Sequence, residues 1–291
     1  AAKRMMPADP SMTKVTRNAD GTTSGRWVVR RLARRERDDH GWFDPVAISR
    51  DGAVVAAAGT QSGRLRLWTL ATGAARDVDL GDTDLEQLVF TPDGSTVAVA
   101  GSDGKLRLVP VAGGEPRVLA ASNAPVEAIA ISPDGKTLAS AGVDRTLRFW
   151  RLATGEVHIR KLYADIVTAL AYSPDGTWLA AAVQDKTVRL ENLAEGGSML
   201  VPNLAGDPLA VAFDASSRLL LVSDSGGGVD LTELAAYGRT LRRRGAAIGD
   251  VAISPDGTHF AGAAADGIAR EWLDTMPRDE AALRARLSRP Y

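Results

Sequence analysis

Residues 129–150 read Ile129-Ala130-Ile131-Ser132-Pro133-Asp134-Gly135-Lys136-Thr137-Leu138-Ala139-Ser140-Ala141-Gly142-Val143-Asp144-Arg145-Thr146-Leu147-Arg148-Phe149-Trp150. Three short strands are legible in this stretch. An apolar run ends at Ser132, and a Ser-Pro-Asp-Gly turn follows. Pro presets φ at the second turn position, Asp bonds its own backbone, and Gly takes the left-handed position. A hairpin connection makes the next strand antiparallel. That strand, Lys136 to Gly142, is built largely of small residues. A tight turn at Asp144 leads to a third strand that alternates, Leu147-Arg148-Phe149-Trp150.

The same order recurs along the chain. Turn tetrads stand at Ser49-Arg50-Asp51-Gly52, Thr91-Pro92-Asp93-Gly94, Ser132-Pro133-Asp134-Gly135, Ser173-Pro174-Asp175-Gly176 and Ser254-Pro255-Asp256-Gly257. Their glycines are 42, 41, 41 and 81 residues apart, and a degenerate copy, Asp214-Ala215-Ser216-Ser217, halves the last gap. Six units of about 41 residues result, and such a period marks a repeat architecture. Each unit closes with a more polar fourth strand, as in residues 75–80 and 156–162. Four antiparallel strands per unit, repeated radially, predict an all-β chain folded as a β-propeller. Small second strands suit blades that converge on an axis, where Leu overpacks.

The chain has 291 residues, 35 Lys and Arg against 36 Asp and Glu, a net charge of −1 and no cysteine. Disulfides, cysteine nucleophiles and thiolate metal sites are excluded. No net field draws the chain to nucleic acid or membrane. No apolar run reaches the roughly 18 residues of a membrane span, and the N-terminus does not read as a secretory signal. The expected location is cytoplasmic.

The turns, the Asp of the second-to-third turn (Asp103, Asp144, Asp185) and the third-strand endings Leu67-Trp68 and Phe149-Trp150 resemble the WD40-repeat family, in a divergent, bacterial-type form. The resemblance covers residues 43–273 in six repeats. No Trp-Asp or Gly-His dipeptide is present, so the family's buried Asp–His–Ser/Thr–Trp network is not carried over. The sixth unit lacks a fourth strand, and residues 26–32 alternate like one. Pairing them with residues 267–273 closes a six-bladed ring without exposed edges. The span from Trp27 to Leu273 is 247 residues, against 246 for six periods of 41. Seven blades is the alternative. The expected layout is an N-terminal extension (1–25), the propeller (26–273) and a C-terminal tail with a short helix (274–291). Tails of this kind follow propellers in large bacterial multidomain proteins.

The three histidines, His40, His158 and His259, show no zinc spacing. No Gly-x-Ser-x-Gly elbow and no phosphate loop occurs. The third-strand arginines Arg66, Arg107, Arg148, Arg189 and Arg270 repeat at a consensus position and read as structural, with packed stems. The resemblance implies a partner-binding face where the fourth-to-first loops and second-to-third turns emerge. Carried over by register, that face holds Trp42, Asp44, Asp84, Glu86, Glu127, Ile166, Asp207 and Leu209 from the first-strand entrances, and Gln61 and Gln184 from the turns. Its carboxylates and one Trp suit a basic or amide-rich protein segment, or a domain of the same complex. A second surface is basic: Arg30, Arg31, Arg34, Arg35 and Arg37 before the first unit, and Arg239, Arg242, Arg243 and Arg244 in the fifth. It reads either as nucleic-acid or acidic-partner binding or as edge protection, the second being favoured. The expected function is a non-enzymatic interaction scaffold or sensor without cofactor or metal. The alternative is a propeller hydrolase or lactonase holding a hard cation on the mouth carboxylates.

Overall fold

In a computed structural model, the structure describes residues 16–17, 23–24, 43–59, 62–122, 124–201, 204–234, 239–244, 248–253, 259–264 and 269–273. The chain divides into two compact units, Ala1–Arg37 and Asp38–Tyr291. In the first, β1 (Thr16–Arg17) pairs antiparallel with β2 (Thr23–Ser24). Everything below concerns the second.

That unit is a series of antiparallel sheets, each formed by strands consecutive in the chain. The first sheet holds β3 (Phe43–Ile48), β4 (Val54–Gly59), β5 (Arg64–Thr69) and β6 (Ala75–Asp79). The second holds β7 (Leu85–Phe90), β8 (Thr96–Gly101), β9 (Lys105–Pro110) and β10 (Arg117–Ala121). The third comprises β11 (Val126–Ile131), β12 (Thr137–Gly142), β13 (Thr146–Arg151) and β14 (Val157–Leu162). The fourth comprises β15 (Val167–Tyr172), β16 (Trp178–Val183), β17 (Thr187–Asn192) and β18 (Ser198–Val201). The fifth comprises β19 (Pro208–Phe213), β20 (Leu219–Asp224), β21 (Gly228–Glu233) and β22 (Arg239–Arg244). Three strands of a further sheet are described: β23 (Ile248–Ile253), β24 (His259–Ala264) and β25 (Ala269–Leu273). Among the described residues there is no helix. Each first strand lies against the first strand of the next sheet, from β3 to β23, the arrangement of propeller blades around their innermost strands. The expected closing strand at 26–32 and the helix after residue 273 lie outside the described residues.

The turns form as their residues dictate. Ser132 Oγ donates to Asp134 Oδ1 at 2.6 Å and accepts from the Thr137 amide at 3.0 Å, while Asp134 Oδ1 accepts from the Lys136 amide at 3.0 Å. Gly135 takes φ +70°, where a β-carbon is strained, and such a carbon would meet Pro92 Cδ of the preceding sheet's turn at 3.5 Å. In the degenerate fifth copy one residue does both jobs. Asp214 Oδ1 accepts from the amides of Arg218 and Leu219 at 2.8 and 2.7 Å, and Ser217 takes the left-handed position at φ 60°.

The core lies between sheets. Ala56, Ala58, Leu65 and Leu67 of the first sheet pack on Leu88 and Phe90 of the second. Ala98, Ala100, Leu106 and Leu108 of the second pack on Ile129 of the third. The second-strand alanines are fully buried here, so a larger side chain at Ala98 or Ala56 separates two sheets. At the repeat positions of Leu88 and Phe90, the first sheet instead exposes Val46 and Ile48, by 58% and 61%.

Candidate functional site: the first-strand entrances

Every first strand of this unit carries one unpaired extra residue near its start. The register slips between Phe43 and Val46, Leu85 and Gln87, Val126 and Ala128, Val167 and Ala169, Pro208 and Ala210, and Ile248 and Asp250. Glu86, Glu127, Thr168 and Leu209 are therefore bulge residues, and Asp44 lies within the bulge of β3. A bulge bends the strand and re-aims its side chain. Nothing in the sequence pattern announces it, because one extra residue does not disturb the 41-residue period.

The structure joins first-strand entrances to second-to-third turns in pairs. The Ser102 amide donates to Asp84 O at 2.9 Å, Val143 to Pro125 O at 3.3 Å, Gln184 to Ile166 O at 2.9 Å and Ser225 to Asp207 O at 2.9 Å. Side chains brace the same joints: the Asp84 amide donates to Ser102 Oγ at 3.2 Å and the Asp207 amide to Ser225 Oγ at 2.9 Å. Thr168 Oγ1 donates to Pro208 O at 2.8 Å and links the fourth sheet to the fifth. Asp84 and Gln184 are exposed, and Glu86, Glu127, Ile166, Asp207 and Leu209 are half-buried. Trp42 and Gln61 lie outside the described residues, and of Asp44 only the backbone is described.

Electrostatics separate this face from the rest of the sheets. Burial pushes the Glu86 carboxyl above its usual range, and the charges of Glu127 and Asp84 push it further the same way. The carboxylates of the second-to-third turns, by contrast, are matched by the third-strand arginines: Asp103 by Arg107 at 2.5 Å, Asp144 by Arg148 at 2.6 Å and Asp185 by Arg189 at 2.9 Å. The first sheet has Ser62 at the turn position, and its Arg66 pairs with Asp77 across the β5–β6 ladder instead. In the fifth sheet the signs are exchanged on the same rung, Asp230 standing opposite Arg242. Read separately in the sequence, these acids and bases are partners in space.

One leg of a buried Trp–Ser network is present although the family dipeptides are absent. In the third sheet Trp150 Nε1 donates to Ser140 Oγ at 2.7 Å, both residues being buried. Among the described residues no three of His, Cys, Asp or Glu gather as a metal set.

Arg30, Arg31, Arg34, Arg35 and Arg37 lie outside the described residues, and only the backbone of β22 is described. Its Arg239 and Arg242 stand opposite Glu233 and Asp230, while Arg243 and Arg244 stand opposite Val229 and Gly228. At the other end of the strands, a cavity of about 560 Å³ lies between the second and third sheets. Arg117 spans it, donating to the carbonyls of Leu152 and Ala153. Asp93 and Asp134 also line it, and Lys136 Nζ stands 3.9 Å from Asp134 Oδ2.

Blade-like antiparallel sheets, with turn carboxylates paired to arginine and, among the described residues, entrance carboxylates without an ion pair, define the fold of a propeller. Three stretches of the chain, residues 114–151, 156–190 and 238–272, match the WD40 family model described as "WD domain, G-beta repeat". Each match starts at the fourth strand of one sheet and ends on the third strand of the next, so the sequence repeat straddles two blades. The chain is similar in fold to a chain of the crystal structure of the mitotic checkpoint complex, with a TM-score of 0.73, 19% identity, and coverage of 88% of this chain and 79% of that one. No curated protein matches the sequence significantly. Among the described residues no helix is long and apolar enough to cross a membrane.

Proposed function

We propose that this protein is a non-enzymatic interaction scaffold, the propeller part of a larger protein or complex working in the cytoplasm. Its first-strand entrances bind a basic or amide-rich segment of a protein partner. The observation that carries this reading is the Glu86–Glu127 pair on neighbouring bulges. The charges acting on Glu86 are both of its own sign, whereas the turn carboxylates beside it are already paired with arginine. A lysine or arginine supplied by a partner relieves that repulsion, and complementary charge sets partner choice and on-rate. Asp84 and Asp207 extend the acidic rim, and Ile166 and Leu209 supply apolar contact beside it. Loops from several sheets are held in fixed relation, so binding costs little ordering entropy. Trp42 and Asp44 belong to the same proposed face by register.

The test reverses charge and removes the anchor. Glu86→Lys with Trp42→Ala, in the full chain, should abolish partner recovery from lysate of the native cell while the melting temperature holds. Unchanged recovery rejects the face.

A further inference from the structure

The outermost strand of the third sheet is unlike the other described outer strands. Val157, Ile159 and Leu162 of β14 are 42%, 70% and 67% exposed. Outer strands β10 and β18 each expose one large apolar residue, Val118 and Leu200, and β6 exposes none. Among the described residues β14 pairs with β13 alone, which leaves the backbone donors and acceptors of its other edge without a described partner. Proteins usually blunt such an edge with charge or by keeping it short, yet this one spans six residues. The strand carries His158, Arg160 and Lys161 and no acid. Around it, Lys161 is paired with Glu191, and Glu156 contacts both Arg151 at 2.9 Å and His158 at 3.3 Å. Arg145, whose backbone carbonyl accepts from Tyr163 just beyond the strand, adds a further cation.

We propose that β14 is a second binding site, which takes an extended segment of a partner protein as an added strand, apolar residues alternating with Asp or Glu. Main-chain hydrogen bonds supply affinity, and alternate side chains supply selectivity. Charge decides the occupant. A second copy of the chain paired edge to edge would bring Arg160 a strand with no acid, and like charges across a rung repel. An acidic strand meets Arg160 with opposite charge and covers Val157 and Ile159 with its apolar side. Arg160 falls at a bulge between Ile159 and Lys161, with ladder rungs on both sides of it.

The test uses the full chain and two fluorescein-labelled synthetic peptides, one alternating valine with glutamate and one alternating valine with lysine. Saturable binding of the glutamate peptide alone is expected. It should weaken about tenfold or more in Ile159→Asp and in Arg160→Glu, both at exposed positions, with melting unchanged. Amide exchange should slow across residues 157–162 on binding. Glu86→Lys should leave this binding intact, which separates it from the entrance face. The proposal is overturned by absent binding, by equal binding of the lysine peptide, or by indifference to both variants. It is equally overturned by concentration-dependent dimerisation that Ile159→Asp abolishes, which would assign the edge to a second copy.

Discussion

Arg107 Nη2 stands 2.5 Å from Asp103 Oδ2, closing an ion pair that locks the turn between β8 and β9 to the strand it introduces. A second bond, Arg107 Nη1 to Asp103 Oδ1 at 3.0 Å, makes the pair bidentate. The Arg107 side chain is only 6% exposed, so solvent screens it little. Arg107→Ala should cost about 2–3 kcal/mol by stranding Asp103, and Asp103→Ala a similar amount. The double variant should lose less than the sum, with a coupling of about 1–2 kcal/mol in urea unfolding. Strict additivity would show that the pair contributes nothing.

Acid should expose the same contact. Burial by itself raises the Asp103 pKa, but hydrogen bonds from Arg107 and the Lys105 amide outweigh it and hold the group at about 2. The folded value lies below the unfolded one, so this stability is present above the ordinary Asp range and is lost as pH falls from about 4 to about 2. Asp144 is shifted in the same direction, burial again opposed by Arg148. Thermal midpoints should therefore fall more steeply across that window in the native chain than in Asp103→Asn.

Glu86 should behave with the opposite sign. Burial, then Glu127 and Asp84, raise its pKa. Stability is then lost as pH rises through the folded value. Glu86→Gln should melt higher than the native chain at neutral pH, by about 1–3 °C, and the gain should shrink below the ordinary Glu range. A partner that neutralises Glu86 should erase the gain as well, which a melting series with partner bound would reveal.

Trp150 and Ser140 offer a test of the buried network. Trp150→Phe leaves Ser140 Oγ without its donor and should cost about 2–3 kcal/mol, hydrogen bond and lost packing together. Adding Ser140→Ala should recover part of the loss, since removing both polar partners is cheaper than removing one. A double variant less stable than Trp150→Phe would contradict this.

Glu233, at the end of β21, is 1% exposed, and among the described residues neither carboxylate oxygen has a hydrogen-bond partner. Arg218 approaches only to 3.6 Å. A buried charge so poorly matched costs stability. Glu233→Gln or Glu233→Met should stabilise the chain by about 1–2 kcal/mol in urea unfolding. Destabilisation would mean that Arg218 is the stronger partner.

Much of this was legible along the chain, and particular residues show why. Pro92, Asp93 and Gly94 specify their turn through φ limits and a bond two residues away, so a local reading finds it. Ala98 and Ala100 announce a crowded interface by their size alone. The entrance positions Asp84, Ile166 and Asp207 were locatable because a fixed period carries a register from one unit to the next. The pairing of Asp103 with Arg107 was not read, since two consensus residues four apart on a turn and strand have no sequence signal for contact. Nor were the bulges at Glu86 and Glu127, which shift a side chain without shifting the repeat.

Periodicity, turn chemistry and residue size are local properties, and from them alone came the all-β class, the strand order within each sheet and the placement of small residues on second strands. Packing is not local. Whether Val46 is covered as Leu88 is, whether Ile159 lies open on an edge, and whether Glu86 feels Glu127 depend on which sheet lies beside which. Those relations join residues about 40 positions apart, and only the folded chain brings them within reach of contact and charge.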